Sequence, residues 1–255
     1  MDSGSVSVVL DGPVATVTFS RPPVNALDSA TLAVLEARLR ETARQRNVKL
    51  VALAALGNDF CAGTDIREHQ KEAAPRLLRA FHSVVRLLWT MEVPTAALVQ
   101  GRALGGGAEL ALSCDFVFAE TTAQFGFPEI RLGAFPPVAS VVLERRVGRA
   151  KAADLILCGA AMSAEAAERR GFVNALVNPG DLINAVDTMR ERLGSFSAST
   201  LRLAKRALFL GASSDPLSAL AAVERTYVND LLKTEDAAEG IAAFLEKRGP
   251  VWKNR

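Results

Sequence analysis

Three consecutive glycines, Gly105, Gly106 and Gly107, separate one apolar stretch from another that carries a single carboxylate, Glu109. Glycines at a helix start allow a ligand to approach the backbone, where the first N–H groups have no partner inside the helix. The helix dipole favours negative charge at the same place. Because its neighbours on both sides are apolar, we expect Glu109 to be buried, where an ionised carboxylate is costly unless it is paired. Donors for an oxyanion beside an isolated acid indicate catalysis at a carbonyl group.

Length and charge exclude several classes of function. The chain has 255 residues, of which 49% are hydrophobic, enough for a substantial core in one large or two small domains. The 30 basic and 28 acidic residues are nearly balanced, so we expect no nucleic-acid partner. No apolar run reaches about 18 residues, so we expect no membrane span. Three scattered cysteines, Cys61, Cys114 and Cys158, are typical of reduced thiols in a cytoplasmic protein and form no CxxC zinc pair.

The order of predicted elements indicates an α/β fold. Two short β-branched runs, 5–10 and 15–19, predict a hairpin. Asp28 is predicted to cap a helix that runs to about Arg46. Further predicted elements, in chain order, are a strand at 50–56, a helix at 75–91, a strand at 95–99, the helix after the glycines and a strand at 116–119.

Beyond about Val138 the pattern becomes helical almost throughout. Predicted helices span 151–158, 163–170, 181–193, 197–210, 216–232 and 234–247, and one short strand spans 174–177. The helical faces near the end of the chain are apolar, and a short tail could not bury them on itself. We therefore expect them to pack on the core or on another subunit.

A second loop of small residues, 61–65, could bring another backbone donor to the site. If an outward-pointing N–H of this loop joined that of Gly106, the two would form an oxyanion hole, worth roughly 3–4 kcal/mol per donor. Two ordinary glycine turns are the alternative interpretation. Glu129 follows Pro128 in a loop flanked by aromatic residues. It could share acid and base roles with Glu109, or it could simply be a glutamate favoured by a helix dipole in the first turn.

These motifs together resemble the enoyl-CoA hydratase/isomerase (crotonase) superfamily over nearly the whole chain. The matching segments are 21–22, 25–27, 60–66, 103–111, 114–115, 125–126, 128–129, 132–133, 171–174 and 244–248. The resemblance implies a crotonase-like spiral of ββα units in residues 1–195. It also implies a helical C-terminal oligomerisation region in residues 196–255, which drives homo-trimers or dimers of trimers.

The same resemblance implies roles for individual residues. The N–H groups of Thr64 and Gly106 would hold the carbonyl oxygen of an acyl-CoA thioester. Glu109 would be the principal base that positions water, and Glu129 the acid that protonates the α-carbon. Implied contacts to the substrate or its CoA come from Ala26, Ala62, Gly63, Asp65, Ile66, Gly105, Leu132, Phe135, Phe244 and Lys247. For Phe244 and Lys247, the implied contact crosses a subunit interface. CoA is part of the substrate, and no metal, nicotinamide or flavin is expected.

After Glu129 the chain departs from the pattern of typical hydratases, which continue with a Pro-Gly-Ala-Gly-Gly-like run. Residues 134–140 here are Ala-Phe-Pro-Pro-Val-Ala-Ser. Proline fixes φ and removes a donor, and Phe135 adds bulk, so a reshaped acyl pocket is expected unless the loop has drifted neutrally. The Phe-Pro-Pro run resembles the cyclohexa-1,5-diene-1-carbonyl-CoA hydratases, which add water to a cyclic dienoyl thioester. A straight-chain 2-enoyl-CoA hydratase, an enoyl-CoA double-bond isomerase and a non-catalytic RNA-binding or scaffold protein are the alternatives.

Four further residues receive structural interpretations. The two histidines, His69 and His82, lie in helix-like stretches with charged neighbours and are interpreted as solvent-facing, although His69 could lie near the pocket mouth. Asp65 could cap a helix or contact CoA, and capping is favoured. Tyr227, the single tyrosine, is assigned to packing.

Overall fold

The computed structural model of the chain describes residues 4–70, 72–212 and 215–255. Its strands are β1 (Ser5–Asp11), β2 (Val14–Ser20), β3 (Leu50–Ala55), β4 (Thr95–Val99), β5 (Arg102–Leu104), β6 (Phe116–Glu120), β7 (Gln124–Gly126), β8 (Ala161–Ser163) and β9 (Ala175–Val177). A six-stranded sheet has the order β1–β2–β3–β4–β6–β9, in which β1 and β2 are antiparallel and all other pairs are parallel. A second sheet has the order β5–β7–β8. The predicted hairpin and α/β class are confirmed.

The described α-helices surround these sheets. They are α1 (Ser29–Ala43), α2 (Ala74–Thr90), α3 (Gly106–Leu112), α4 (Pro137–Val147), α5 (Arg149–Leu157), α6 (Ala164–Arg169), α7 (Leu182–Gly194), α8 (Ala198–Gly211), α9 (Pro216–Asn229) and α10 (Glu235–Leu245). Short 3₁₀ helices span Ile66–His69, Pro128–Leu132 and Leu231–Lys233. None of the helices in the described part of the chain has the length and apolar character needed to cross a membrane.

Successive units of the chain contribute one strand to each sheet before a helix follows. β4 enters the large sheet, β5 enters the small one, and α3 comes next; β6, β7 and the second 3₁₀ helix repeat this arrangement. Isolated parallel bridges, Leu27 to Thr64 and Cys61 to Ala103, extend the small layer beyond β5. The crotonase-like spiral of ββα units is therefore present. Its geometry places the loop that carries Thr64 beside the strand that leads into α3.

Local sequence accounts for α1. The Asp28 side chain accepts a hydrogen bond from Thr31 N at 2.8 Å and so caps the helix as predicted. The helix ends at Ala43 and not near Arg46. Three leucines spaced along one face are fully buried in the core: Leu32, Leu35 and Leu39. This face fixes α1 against the sheet just before the loop that leads to the site.

The C-terminal region is helical, and α8 packs against α9 while also contacting α2 and α10. The sequence pattern of this region predicted a single helix over 216–232, but α9 ends at Asn229 and a 3₁₀ helix follows it. Many of its large apolar side chains are exposed in the single chain: Phe196, Leu208, Phe209, Leu217, Leu220, Tyr227, Val228, Leu232, Ile241, Phe244, Leu245 and Val251. The packing role assigned to Tyr227 is therefore wrong within one chain. In the predicted spiral, 1–195, residues 1–3 and 71 lie outside the described residues. In the predicted oligomerisation region, 196–255, residues 213–214 lie outside them.

Candidate active site

The loop that carries Thr64 is fastened on one side by backbone hydrogen bonds. Leu27 N donates to Gly63 O at 2.9 Å, and Asp65 N donates to Leu27 O at 2.8 Å. The Gly63 C=O and the Thr64 N–H belong to one trans peptide group and point in opposite directions, so the N–H of Thr64 faces away from Leu27. The fastening therefore turns this donor outward, toward the start of α3.

The amides of Thr64 and Gly106 lie side by side. A β-carbon built on Gly106 would lie 3.4 Å from Thr64 N, and one built on Gly63 would lie 3.8 Å from Gly106 N. Gly106 is the first residue of α3, where an N–H has no partner inside the helix. Neither N–H donates a hydrogen bond to any residue that the structure describes. Two adjacent free donors can bind one oxygen atom, which is the arrangement of an oxyanion hole.

The outer glycines of the triplet are required for close approach of other groups. Gly105 has a φ of +50°, and a β-carbon there would lie 2.5 Å from Glu129 Oε1. A β-carbon on Gly107 would lie 2.2 Å from the carbonyl oxygen of Cys61. Side chains at these positions would displace either the acid or the loop that carries Thr64. The glycine motif thus brings both amides and one acid to a single place.

Glu109 is buried in the first turn of α3 and is 3% exposed. Its Oε1 accepts hydrogen bonds from Val138 N at 2.8 Å and from Ala139 N at 2.9 Å, two amides in the first turn of α4. Burial raises the pKa of Glu109 to about 7; the Glu129 charge adds to this rise, while the two N–H donors oppose it. A carboxyl group with this pKa can accept or donate a proton near neutral pH.

Glu129 lies in the 3₁₀ helix that begins at Pro128 and is partly buried. Its Oε2 is shielded from solvent and has no hydrogen-bond partner among the described residues. Burial raises the pKa of Glu129, and the charge of His69 opposes that rise. A buried, unpartnered carboxyl oxygen is available to a proton or to a bound water molecule. The structure therefore brings Glu109, Glu129 and the two free amides into one neighbourhood, as the sequence predicted.

The two histidines have different environments. His69 is exposed, with Nδ1 3.2 Å from Asp65 O and Nε2 3.4 Å from Thr64 Oγ1. Its predicted proximity to the pocket mouth is thus confirmed. His82 on α2 is half-buried, and its Nε2 is shielded from solvent without a partner among the described residues. The interpretation of His82 as solvent-facing is therefore wrong, because the packing of α2 encloses the ring.

A groove of about 490 Å³ lies next to the Thr64 amide. Four of the predicted substrate-binding or CoA-binding residues line it, namely Ala26, Ala62, Asp65 and Ile66, together with Thr64 and residues 21–24 and 67. Gly63 and Gly105 are buried and do not line this groove. The groove thus leads from solvent to Thr64 and is a suitable place for an extended ligand.

The side chain of Asp65 shapes the wall of this groove. It caps the first 3₁₀ helix by accepting from Arg67 N at 3.0 Å, so the predicted capping role is confirmed. Its Oδ2 also pairs with Arg67 Nη2 at 2.6 Å and with Arg21 Nη2 at 2.8 Å. These bonds to Arg67 and Arg21 hold the pKa of the Asp65 carboxyl well below its usual range. An anion fixed in this way holds the groove in shape.

Asn25 is a structural residue of the site for which the sequence analysis gave no role. It has a φ of +55°, is 2% exposed and accepts from Arg21 N at 2.7 Å through Oδ1. Its Nδ2 donates to Leu56 O at 2.7 Å and to Asp59 O at 2.9 Å. Asn25 therefore joins its own loop to the loop that follows β3. An asparagine just after Pro22-Pro23-Val24 is the signal that could have indicated it, because asparagine tolerates the left-handed conformation of turns.

The remaining predicted contact residues lie outside the groove of this chain. Leu132 and Phe135, in the segment between Glu129 and α4, are both 66% exposed. Phe244 is 83% exposed near the end of α10, and Lys247 follows that helix, so neither reaches the groove of its own chain. No group of three or more His, Cys, Asp or Glu residues that could hold a metal ion occurs in the described part of the chain.

Comparisons with known proteins agree with this geometry. Residues 11–255 match the family model described as enoyl-CoA hydratase/isomerase. A cyclohexa-1,5-dienecarbonyl-CoA hydratase from Thauera aromatica is 35% identical, over 96% of this chain and 95% of that protein. A short-chain-enoyl-CoA hydratase from Clostridium acetobutylicum is 36% identical, over 97% of each chain. The crystal structure of an enoyl-CoA hydratase from Mycobacterium smegmatis has a TM-score of 0.90 to this chain and is 31% identical, over 97% of this chain and 98% of that chain.

Proposed function

The chain belongs to the enoyl-CoA hydratase/isomerase family and is a hydro-lyase of the enoyl-CoA hydratase type, and from this premise we propose that Thr64, Gly106, Glu109 and Glu129 carry out its reaction. One observation supports this assignment above all. Two free amides lie beside two carboxyl groups whose pKa values are raised by burial. Water addition changes no net oxidation state and CoA is part of the substrate, so the proposed reaction uses no separate cofactor.

The amide pair would act on the thioester carbonyl. Attack of water at the β-carbon moves electron density onto the carbonyl oxygen, which takes on enolate character. The N–H groups of Thr64 and Gly106 would donate to that oxygen, and they would bind it more strongly as its negative charge develops. Such donors lower the barrier because they stabilise the transition state more than the neutral ground state.

The two acids would divide the proton transfers. Glu109 takes a proton from the water molecule as its oxygen bonds to the β-carbon, and Glu129 gives a proton to the α-carbon. For dehydration the roles reverse. Because the two groups interact, their titration belongs to the pair. Glu109 Oε1 is already held by Val138 N and Ala139 N, which leaves Oε2 for the water.

We propose a cyclic dienoyl thioester, cyclohexa-1,5-diene-1-carbonyl-CoA, as the substrate. Two observations support it: the likeness to the Thauera aromatica enzyme, and the Phe135-Pro136-Pro137 run between Glu129 and α4. Pro137 opens α4 and has no N–H, and the next two amides are engaged by Glu109. Two consecutive prolines restrict the backbone here, and a rigid segment next to the amides that hold Glu109 suits a ring better than a flexible chain. The likeness to the Clostridium acetobutylicum enzyme favours a straight-chain 2-enoyl-CoA as the alternative.

A direct comparison of two substrates tests this choice. Purified protein is supplied with crotonyl-CoA or with the cyclic dienoyl-CoA, and kcat/KM is measured for both by product mass analysis. A higher kcat/KM for the cyclic thioester is expected. If crotonyl-CoA were the far better substrate, the cyclic proposal would be wrong and the straight-chain alternative would replace it. Labelled water checks the reaction type, since a double-bond isomerase would move the bond without incorporating solvent oxygen.

We also propose that the chain forms trimers or dimers of trimers. The exposed apolar side chains of α8, α9 and α10 support this, since single chains rarely leave so much apolar surface in contact with water. In such an assembly Phe244 and Lys247 could reach the CoA bound to a neighbouring chain. Light scattering of the purified protein tests the proposal, and a monomer at micromolar concentration would contradict it.

A further inference from the structure

The side chain of His69, which the proposed mechanism does not use, contacts the hydroxyl group of Thr64, one of the two residues of the amide pair. His69 is the last residue of the 3₁₀ helix that follows Thr64, and each of its ring nitrogens lies near a polar atom, Asp65 O or Thr64 Oγ1. Asp65 O lies 3.2 Å from Nδ1, and a carbonyl oxygen can only accept. Nδ1 therefore carries the proton. In the neutral ring, Nε2 is then the acceptor for the Thr64 hydroxyl, 3.4 Å away.

This bond fixes the side chain of one of the two oxyanion residues. The methyl group of Thr64, Cγ2, lies against Gly106, since a β-carbon on that glycine would be 3.1 Å from it. When Nε2 of His69 holds the hydroxyl on one side, the methyl group is directed to the other side, against α3. The rotamer of Thr64 thus sets how closely the loop and the helix approach, and with it the spacing of the two amides.

We infer that His69 is a positioning residue of the hydration reaction, which fixes the side chain of Thr64 through Nε2. The inference rests on the proposed function. The hydrogen bond orients the Thr64 side chain and, through its methyl group, sets the spacing of the two amides.

Two substitutions test this role. His69→Leu removes the hydrogen bond to Thr64. His69→Gln keeps a polar group near the position of Nε2. His82→Gln is the matched control, because it alters the other of the two histidines at a place outside the site. Each protein is assayed for hydration over a range of pH, and its affinity for a saturated acyl-CoA is measured by calorimetry.

The expected pattern is specific. His69→Leu lowers kcat about tenfold and changes KM less than twofold, because the oxyanion donors act mainly in the transition state. His69→Gln recovers most of kcat at the optimum.

Three results would overturn parts of this account in distinguishable ways. If His69→Leu had the kcat of His82→Gln, His69 would have no part in the reaction. If His69→Gln lost as much kcat as His69→Leu, the hydrogen bond to Thr64 would not be the interaction that matters, and the inference would be wrong. Absence of hydration in the unmodified protein, with acyl-CoA still bound, would overturn the proposed function and the inference with it.

Discussion

The carboxyl group of Glu129 rests against the α-carbon of Gly105, so closely that a β-carbon there would lie 2.5 Å from Oε1. Gly105 also has a φ of +50°, a conformation that side-chain-bearing residues rarely adopt. Gly105, which immediately precedes α3 and Gly106, thus also leaves room for the carboxyl group of Glu129. A single backbone position therefore couples the acid to the amide pair.

Replacement of Gly105 by alanine is expected to abolish most of the activity. The added methyl group must displace Glu129, and we expect kcat to fall by about 100-fold or more, in line with the effects of misplaced catalytic groups. Kinetics of enoyl-CoA hydration measure the loss. Gly12→Ala is the control, because Gly12 has a similar φ of +56° but open space around its α-carbon. Equal losses in the two variants would show that strain, and not displacement of Glu129, is responsible.

Neutralising either acid is expected to stop hydration while leaving binding intact. Glu109→Gln and Glu129→Gln should each lower kcat by about 10²–10⁴-fold, the usual contribution of a general acid or base. Saturated acyl-CoA should bind each variant with nearly unchanged affinity in calorimetry, since the groove is untouched. Glu144→Gln, a change on the exposed side of α4, serves as the control. Turnover at the unmodified rate would remove that glutamate from the mechanism.

Burial of Glu109 predicts a dependence of stability on pH. Its pKa is about 7 in the folded chain, above the ordinary carboxyl value of about 4.3 in the unfolded chain. Between these values the folded state binds more protons, so this group's contribution to stability is present at low pH and is lost as pH rises through about 7. Glu109→Gln should remove the loss. We expect its Tm at pH 8 to exceed that of the unmodified protein by about 2–4 °C per kcal/mol recovered.

Calorimetric scans at pH 5 and pH 8 check this prediction. The difference in Tm between the two proteins should be larger at pH 8, because only there is the buried carboxyl group ionised. A difference of the same size at both values would mean that the pKa of Glu109 is not raised in the folded chain. The result also shows how much stability the chain gives up to keep an acid in an apolar site.

Removal of the Asp65 charge should loosen the groove. Asp65→Asn retains a capping side chain but leaves the buried guanidinium of Arg21 with one partner fewer, so we expect a loss of about 1–3 kcal/mol in the free energy of unfolding. Urea denaturation measures the loss, and KM for acyl-CoA should rise in parallel. The exposed Arg38–Glu41 pair supplies the control, since Glu41→Gln should cost less than about 0.5 kcal/mol. Equal effects would mean that Asp65 does not support the groove.

Elements with a strong local pattern could be predicted from sequence. The hairpin of β1 and β2, the Asp28 cap of α1 and the apolar strands β3, β4 and β6 all follow from residue type and spacing. Burial of Glu109 followed from its apolar neighbours. In these cases the deciding interactions lie within one or two turns of the residues concerned, so the sequence contains them.

Other features depend on partners far away in the chain. The strands β5, β7 and β8 have three residues each, too few for a periodic pattern, and exist because they pair with one another. His82 is enclosed and Tyr227 is exposed, against the predictions for both, because the packing of whole helices decides these environments. Asn25 bonds to the distant loop after β3 through Leu56 and Asp59, which no local pattern reveals.

By itself the sequence determined which chemical groups are present: a glycine triplet, an acid in an apolar helix, a second acid after a proline, and a loop of small residues. Only the tertiary structure decided that the backbone nitrogens of Thr64 and Gly106 lie close together and that Glu129 lies against Gly105. The physical reason is that hydrogen bonds from Leu27 and β5 orient the Thr64 loop, and their partners are distant in sequence. Such long-range pairing sets the orientation of the Thr64 loop, whereas the types and spacing of the residues are local properties of the sequence.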